Sequence, residues 1–253
     1  MDIDERRKKI LDALGASGYV TVEDFAKTLG VSAVTVRSDL TALENEGLIV
    51  RTHGGAMILE KKSKIRFISE TMNEYEEEKK AIAKKAASLI QDGSTVSIDS
   101  GSTTTRIVEF LGDKKFNVVT NNILVVGALK DNPKIESLTI IGGQLRRESM
   151  GIIGPMANED VKDINVDIYF MGSAAYTEDS ISSTSIIESE VKRHMIKAAE
   201  KVVFLADSSK FGKRAFSRTS DWDCIDTFIT DKITPEFREL LENQGIEVIL
   251  ADE

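Results

Sequence analysis

The chain has a single cysteine, Cys224, and only two histidines, His53 and His194, in 253 residues. A lone cysteine excludes a disulfide framework and a cysteine-rich metal site, and two distant histidines offer no zinc cluster. No apolar run approaches the ~18 residues that a membrane-spanning helix needs. The opening MDIDERRKKI starts acidic and leads into a charged helix, so no signal peptide is expected and the cytoplasm is the expected address. A basic excess is lacking too: the formal net charge is −9, and residues 1–56 come close to charge balance. There is no internal repeat and no low-complexity tract. What is present, 41% hydrophobic and 30% charged residues, is the composition of an ordinary globular protein. Its length suits a small domain plus a larger one.

Residues 31–56, VSAVTVRSDLTALENEGLIVRTHGGA, carry the densest information. Ser32 is placed to cap a helix by accepting from the backbone N–H near Thr35. Val36, Leu40 and Leu43 follow at i, i+4 and i+7, one inward stripe. Gly47 is the expected stop. Residues 48–51 and 56–59 can then pair across Thr52-His53-Gly54-Gly55 as a hairpin. At about 100° per residue, the opposite face holds Val34, Ser38, Thr41 and Asn45, flanked by Thr35 and Arg37. Side chains this small let a backbone approach a major groove, where methyl groups meet thymine and Arg37 reaches phosphate or guanine.

Upstream, Thr21-Val22-Glu23-Asp24 reads as a capping box with aspartate in the last place. Phe25, Ala26 and Leu29 point inward after it, and Gly30 makes a turn. Helix, glycine turn, helix and hairpin spell a small winged helix-turn-helix domain over residues 1–59. The candidate DNA-binding residues are Ser32, Val34, Thr35, Arg37, Ser38, Thr41, Arg51 and His53. Local basic groups are confined to residues 6–9, Arg37, Arg51 and residues 61–66. So few phosphate contacts per protomer imply weak binding by one head. Double-stranded DNA is therefore expected to be gripped by a homo-oligomer, a dimer or a tetramer, that pairs its heads.

Residues 60–73 are polar and read as a linker, and residues 74–253 change rhythm. Apolar runs at 94–98, 116–119, 138–141, 168–171, 202–205, 227–229 and 246–250 alternate with helical periods at 76–90, 103–111, 124–130, 186–200 and 235–243. Strands rich in valine and isoleucine between helices predict an α/β domain with a mostly parallel, doubly wound sheet. Ligands in such sheets sit outside the carboxyl ends of the strands. After the first run comes Asp99-Ser100-Gly101-Ser102-Thr103-Thr104-Thr105, a glycine and hydroxyls at a helix start. It reads equally as a phosphate cradle or as a hydroxyl-rich capping turn, and the Gly-Lys-Ser/Thr element of a P-loop is missing. Thr120-Asn121, Gly142-Gly143 and Asp207-Ser208-Ser209-Lys210 follow other runs, and Lys210 so placed is a charge partner for phosphate. Glu188 and Lys192 are spaced as an exposed i, i+4 pair. The candidate effector-binding residues are Asp99, Ser100, Gly101, Ser102, Thr103, Thr104, Thr120, Asn121, Gly142, Gly143, Glu188 and Lys210. No catalytic residue, metal ligand or cofactor is assigned.

Glu5-Arg6, Val20-Thr21-Val22, Leu29-Gly30-Val31-Ser32, Thr35-Val36-Arg37-Ser38-Asp39-Leu40 and Arg51-Thr52-His53-Gly54-Gly55-Ala56 resemble the DeoR family of bacterial transcriptional regulators. The resemblance continues through Asp99-Ser100-Gly101-Ser102-Thr103-Thr104, Val119-Thr120-Asn121, Ile141-Gly142-Gly143, Glu188 with Lys192-Arg193, and Asp207-Ser208-Ser209-Lys210-Phe211-Gly212. It implies a winged head followed by an effector domain similar to sugar-phosphate isomerases of the ribose-5-phosphate and glucosamine-6-phosphate type. It also implies a repressor of a carbohydrate-metabolism operon that a phosphorylated sugar relieves. Ser38 stands where relatives have a second basic residue, and Ser173-Ala174-Ala175-Tyr176 where they often have glycine and an acid. Two other readings compete: an isomerase with an accessory head, and an interaction module with a vestigial pocket. Isomerisation needs a base within reach of adjacent carbons. The run ending at Met171 leads into Gly-Ser-Ala-Ala, and no histidine follows any run, which favours a sensor without turnover.

Overall fold

The computed structural model describes residues 2–17, 19–45, 49–51, 54–58 and 67–252. Gly47, His53, residues 61–66 and the side chain of Asn45 lie outside the described residues. The chain forms two compact units, residues 1–65 and 66–253.

The first unit runs α1 (Ile3–Ser17), β1 (Tyr19–Thr21), α2 (Val22–Leu29), α3 (Ala33–Asn45), β2 (Ile49–Arg51) and β3 (Gly55–Ile58). Thr21 caps α2, one half of the expected capping box: its Oγ1 accepts from the Asp24 N–H at 3.1 Å, and the Asp24 carboxylate takes the Thr21 hydroxyl, at 2.6 Å, in place of the backbone N–H. Gly30 ends α2 in the left-handed region, at φ 66°, where a side chain is strained. Ser32 Oγ accepts from the Thr35 N–H at 3.1 Å and opens α3. The three helices bury Ile10, Leu14, Val22, Phe25, Val36, Leu40 and Leu43 against Ile49 and Ala56. The sheet is antiparallel in the order β1-β3-β2. Its β2–β3 hairpin matches the expectation within a residue. β1 was not anticipated, because three residues are too short for an alternating signal; pairing with β3 is what makes them a strand.

The second unit opens with α4 (Ile68–Thr71), α5 (Glu76–Ser88), β4 (Thr95–Ile98), α6 (Ser102–Thr105), β5 (Phe116–Thr120), α7 (Ile123–Leu129) and β6 (Ile135–Ile140). The hairpin β7 (Gln144–Arg146) and β8 (Gly151–Ile153) follows, then α8 (Pro155–Lys162), β9 (Val166–Gly172), β10 (Ala175–Tyr176) and β11 (Ile181–Ser183). The chain ends with α9 (Ile186–Ala198), β12 (Ala199–Leu205), β13 (Ser217–Ser220), β14 (Thr227–Thr230), α10 (Pro235–Asn243) and β15 (Glu247–Leu250). Residues 67–73, read from sequence as linker, thus carry α4 and belong to this unit.

Seven strands make one parallel sheet in the order β15-β14-β12-β9-β4-β5-β6. They coincide with the seven apolar runs. β9 shows why such runs read as continuous: Ile168 and Phe170 enter one apolar layer with Ile82, Ile98 and Phe116, while Tyr169 and Met171 enter the other with Phe204, Trp222 and Phe237. Strand order reverses between β4 and β9, the first and fourth strands of the sheet in sequence, and ligands favour that crevice. The helix expected over 103–111 is only α6 and a tighter turn at Arg106–Glu109. The hydroxyls of Thr104 and Thr105 donate back to the Gly101 carbonyl, which competes with a regular helix. A small antiparallel sheet of β10, β11 and β13 was not anticipated either.

Candidate functional site

On α3 the buried side chains are Val36, Asp39, Leu40 and Leu43, and Val34, Arg37, Ser38 and Thr41 are exposed, Val34 to 72%. The two faces are opposite, as the periodicity predicts. Asp39, which escaped the sequence reading, sets the rotation of the helix. It accepts from Arg6 of α1 through Nε at 2.5 Å and Nη2 at 3.1 Å, a two-pronged pair with a fixed geometry. Arg6, grouped from sequence with the basic residues available to DNA, is instead buried and committed to α3. Arg51 Nη1 donates to Thr41 Oγ1 at 2.8 Å and its N–H to Glu44 Oε1 at 3.2 Å, so the hairpin is braced on the helix. The hydroxyls of Ser32 and Thr35 lie 2.9 Å apart.

In the second unit, Asp99 stands at the point where the strand order reverses. Its Oδ2 accepts from the Gly172 N–H at 3.0 Å and from the Lys192 ammonium, which also donates to the Gly172 carbonyl at 3.1 Å. Both side chains are only 2% exposed. Glu188 Oε1 lies 4.0 Å from Lys192, and its Oε2 accepts from Arg146 Nη1 at 2.8 Å. Arg146 reaches Thr184 Oγ1 at 3.2 Å and lies 3.6 Å from Glu148. Burial pushes the Glu188 pKa up, against the pull of Lys192 and Arg146. The exposed i, i+4 pair expected of Glu188 and Lys192 is therefore corrected: α9 packs deeply enough to make both part of a buried charge network.

The hydroxyl-rich turn is nearly closed. Ser100, Ser102, Thr103 and Thr104 are all buried, and Gly101 is half-buried. Ser100 Oγ has no hydrogen-bond partner. It is pressed against Gly151, where a Cβ would come within 2.5 Å of it. Thr104 Oγ1 donates to the Asp99 carbonyl at 2.8 Å, Thr120 Oγ1 to the Ile98 carbonyl at 2.6 Å and Asn121 Nδ2 to the Ile152 carbonyl at 3.1 Å. All three commit a side-chain donor to a main-chain carbonyl. Gly142, whose N–H meets Asp160 at 2.7 Å, and Gly143 follow β6 at the edge of the sheet. Four strand spacings of ~4.8 Å, roughly 19 Å, separate β6 from β12 within the sheet.

Open space lies elsewhere along that edge, and none of the turn's residues lines it. A cleft of about 520 Å³ is lined by Glu74 and Tyr75 ahead of α5, Lys79 on it, Ala174 after β9, and Ser209, Lys210 and Lys213 after β12. Lys79, 1% exposed, donates to the carbonyls of Thr71 and Glu74, each at 2.5 Å. Burial, reinforced by the charge of Lys210, brings its pKa down to about 8. Lys213 donates to the Ser209 carbonyl at 2.6 Å. Three amines on one cleft, against the single carboxylate of Glu74 in its lining, suit an anion. Lys79 had a signal in the sequence: with Ile82, Ala83 and Ala86 it completes an i, i+3, i+4, i+7 stripe, where an apolar residue belongs.

A winged helix-turn-helix head ahead of a doubly wound α/β unit is the build of a two-module transcription regulator. Residues 6–62 match the DeoR-like helix-turn-helix domain and residues 74–232 the DeoR C terminal sensor domain. The chain belongs to the DeoR family of transcriptional regulators. It is 34% identical to the HTH-type transcriptional repressor GlcR of Bacillus subtilis, over 99% of this chain and 97% of that one. It is 36% identical to the lactose phosphotransferase system repressor of Lactococcus lactis, over 94% and 95% of the two chains. Among solved structures, ribose 5 phosphate isomerase A of Neisseria gonorrhoeae is similar over 54% of this chain and 53% of its own, at 20% identity and a TM-score of 0.37, which bears on neither activity nor ligand.

Proposed function

We propose that the protein represses a carbohydrate-metabolism operon and leaves its operator when a phosphorylated sugar occupies the cleft at the carboxyl edge of the sheet. The single observation that carries this is the convergence of Lys79, Lys210 and Lys213 on one open cleft at that edge. In this reading Lys210 faces the phosphate, with Lys79 and Lys213 adding charge. Asp99, Ser100, Gly101, Ser102, Thr103 and Glu188 lie outside the lining of that cleft and are assigned no contact with the ligand. Thr104, Thr120 and Asn121 shape the loops, and Gly142 and Gly143 lie outside that lining too. In the head, Val34, Thr35, Arg37 and Ser38 read the major groove, while Ser32, Thr41 and Arg51 hold the helix and hairpin in place. Two or four protomers pair their heads on repeated half-sites. Among the described residues no helix is long and apolar enough to cross a membrane.

The test uses DNA upstream of the neighbouring genes and a panel of phosphorylated sugars. The right sugar at 100 times its Kd adds roughly 2.7 kcal/mol of stability and releases the DNA. Lys210→Ala keeps operator binding and loses the response; a normal response in that variant overturns the placement of the ligand. One observation favours a second reading. Glu188 is a buried carboxyl with a raised pKa, the profile of an acid–base group. Its engagement by Arg146, and that of Asp99 by Lys192, leave neither free to shuttle a proton, which supports sensing without turnover. Isomerisation of a phosphosugar at ordinary enzyme rates reverses that choice.

A further inference from the structure

The stretch 67–75 is the part of the second unit that the chain enters on leaving the head. Several ties hold it. The Ile68 N–H donates to the Glu148 carbonyl at 2.7 Å. Arg106 Nη2, from the turn after α6, donates to the Met72 carbonyl at 2.8 Å. Lys79 holds the carbonyls of Thr71 and Glu74. The only helix in the stretch, α4, is a single turn, too short to stand without such support. Tyr75, next to it, sits in the left-handed region at φ 51°, a strained position for a residue with a Cβ. Glu74, Tyr75 and Lys79 all line the cleft.

We infer that residues 71–75 form a strap held closed by Lys79 while the cleft is empty, and that a bound phosphate releases it by taking the Lys79 ammonium for itself. The inference rests on the reading of the cleft as a phosphate site. An ammonium bonds a phosphate oxygen more strongly than a neutral carbonyl, and Lys210 and Lys213 place that oxygen on the cleft side of Lys79. When the ammonium turns, the Thr71 and Glu74 carbonyls lose a shared donor, and Tyr75 is free to leave its strained conformation. Arg106 stays on Met72, so the release is local. The two states differ in which partner holds Lys79, and that difference lets a ligand shift one toward the other.

Hydrogen–deuterium exchange on the full-length chain, titrated with inorganic phosphate, tests this. Expected are amides of the stretch 70–76 exchanging about a hundredfold or more faster as two bonds to a charged donor are lost, together with protection of 207–213, where the anion sits. Lys79→Met is expected to exchange fast in the strap without phosphate and to gain nothing from it, while Lys79→Arg restores the slow strap. If phosphate protects 207–213 and the strap is unchanged or slower, the strap inference falls and the phosphate reading stands. If neither stretch responds, both fall. Should Lys79→Met fail to fold, the wild-type titration decides alone.

Discussion

Replacing Lys192 by methionine tests the charge network at the point of strand reversal. Asp99 would keep only the Gly172 N–H, and Glu188, 4.0 Å from the vacated ammonium, would leave a second negative charge nearby. Removing one member of a buried pair typically costs about 3–5 kcal/mol, since the other is left uncompensated. Two acids around one lysine place this case in the upper half, about 4–5 kcal/mol. In a unit of this size each kcal/mol moves the midpoint by roughly 2–4 °C, so its melting temperature should drop by roughly 8–20 °C. Calorimetry of the full chain should show that shift in the larger transition and none in the smaller. The pair Asp99→Asn/Lys192→Met removes both charges and should recover most of the loss, a coupling that a double-mutant cycle measures. A single variant within about 2–4 °C of wild type refutes the reasoning. A double variant as unstable as the single one assigns the loss to the packed lysine stem instead.

Arg37→Ala, at an exposed position, should leave the melting temperature alone and weaken operator binding on the order of tenfold, read by gel shift. Gly151→Ala drives a methyl into Ser100 and should cost about 1–3 kcal/mol by overpacking, read by urea unfolding; an unchanged midpoint shows that the turn yields. The lowered pKa of Lys79 gives two pH effects. Phosphate affinity should fall as pH rises through about 8, where the ammonium is lost, and calorimetric titration of Lys79→Met should lack that step. Between about 8 and 10.5 the unfolded chain holds a proton that the folded one does not, so this group's unfavourable contribution fades and stability rises with pH.

The sheet was legible because its central strands are covered on both faces, so burial writes itself as an apolar run whatever the strand order; the edge strand β6, with Glu136, Ser137, Thr139 and Ile140 exposed, is the exception. The head was legible because caps, stripe and glycine turn coincide within a short stretch, each pointing to the same element. The position of the cleft was not. It depends on β12 lying beside β9, which leaves no mark in local pattern, and on Lys79 reaching across from α5, whose one mark is a lysine in an apolar stripe. Glu188 and Lys192 show the limit clearly, since an i, i+4 pair has the same spacing on a wet face as on a buried one. Arg6 and Asp39, 33 residues apart, become partners only when α1 packs on α3. The closed state of the turn at Ser100 was equally hidden, because Gly151, which presses on it, lies 51 residues further along.

A sensor needs little free energy to work. Coupling between two ligand sites is typically about 1–3 kcal/mol, a change in affinity of roughly 5–150-fold. Each hydrogen bond from a charged donor contributes about 1.5–3 kcal/mol, so the two that Lys79 makes to the strap hold more than a regulator has to transmit. Most of that can dissipate within the second unit and a usable response remains. Thermodynamic reciprocity then fixes a measurement that needs no knowledge of the natural sugar. If phosphate in the cleft weakens operator binding, operator must weaken phosphate binding by the same factor. Titrating phosphate into the protein with and without saturating operator should give two different affinities whose ratio equals the shift in operator affinity at saturating phosphate. Equal affinities would mean that strap release stops short of the head, and that whatever relieves repression travels by another route.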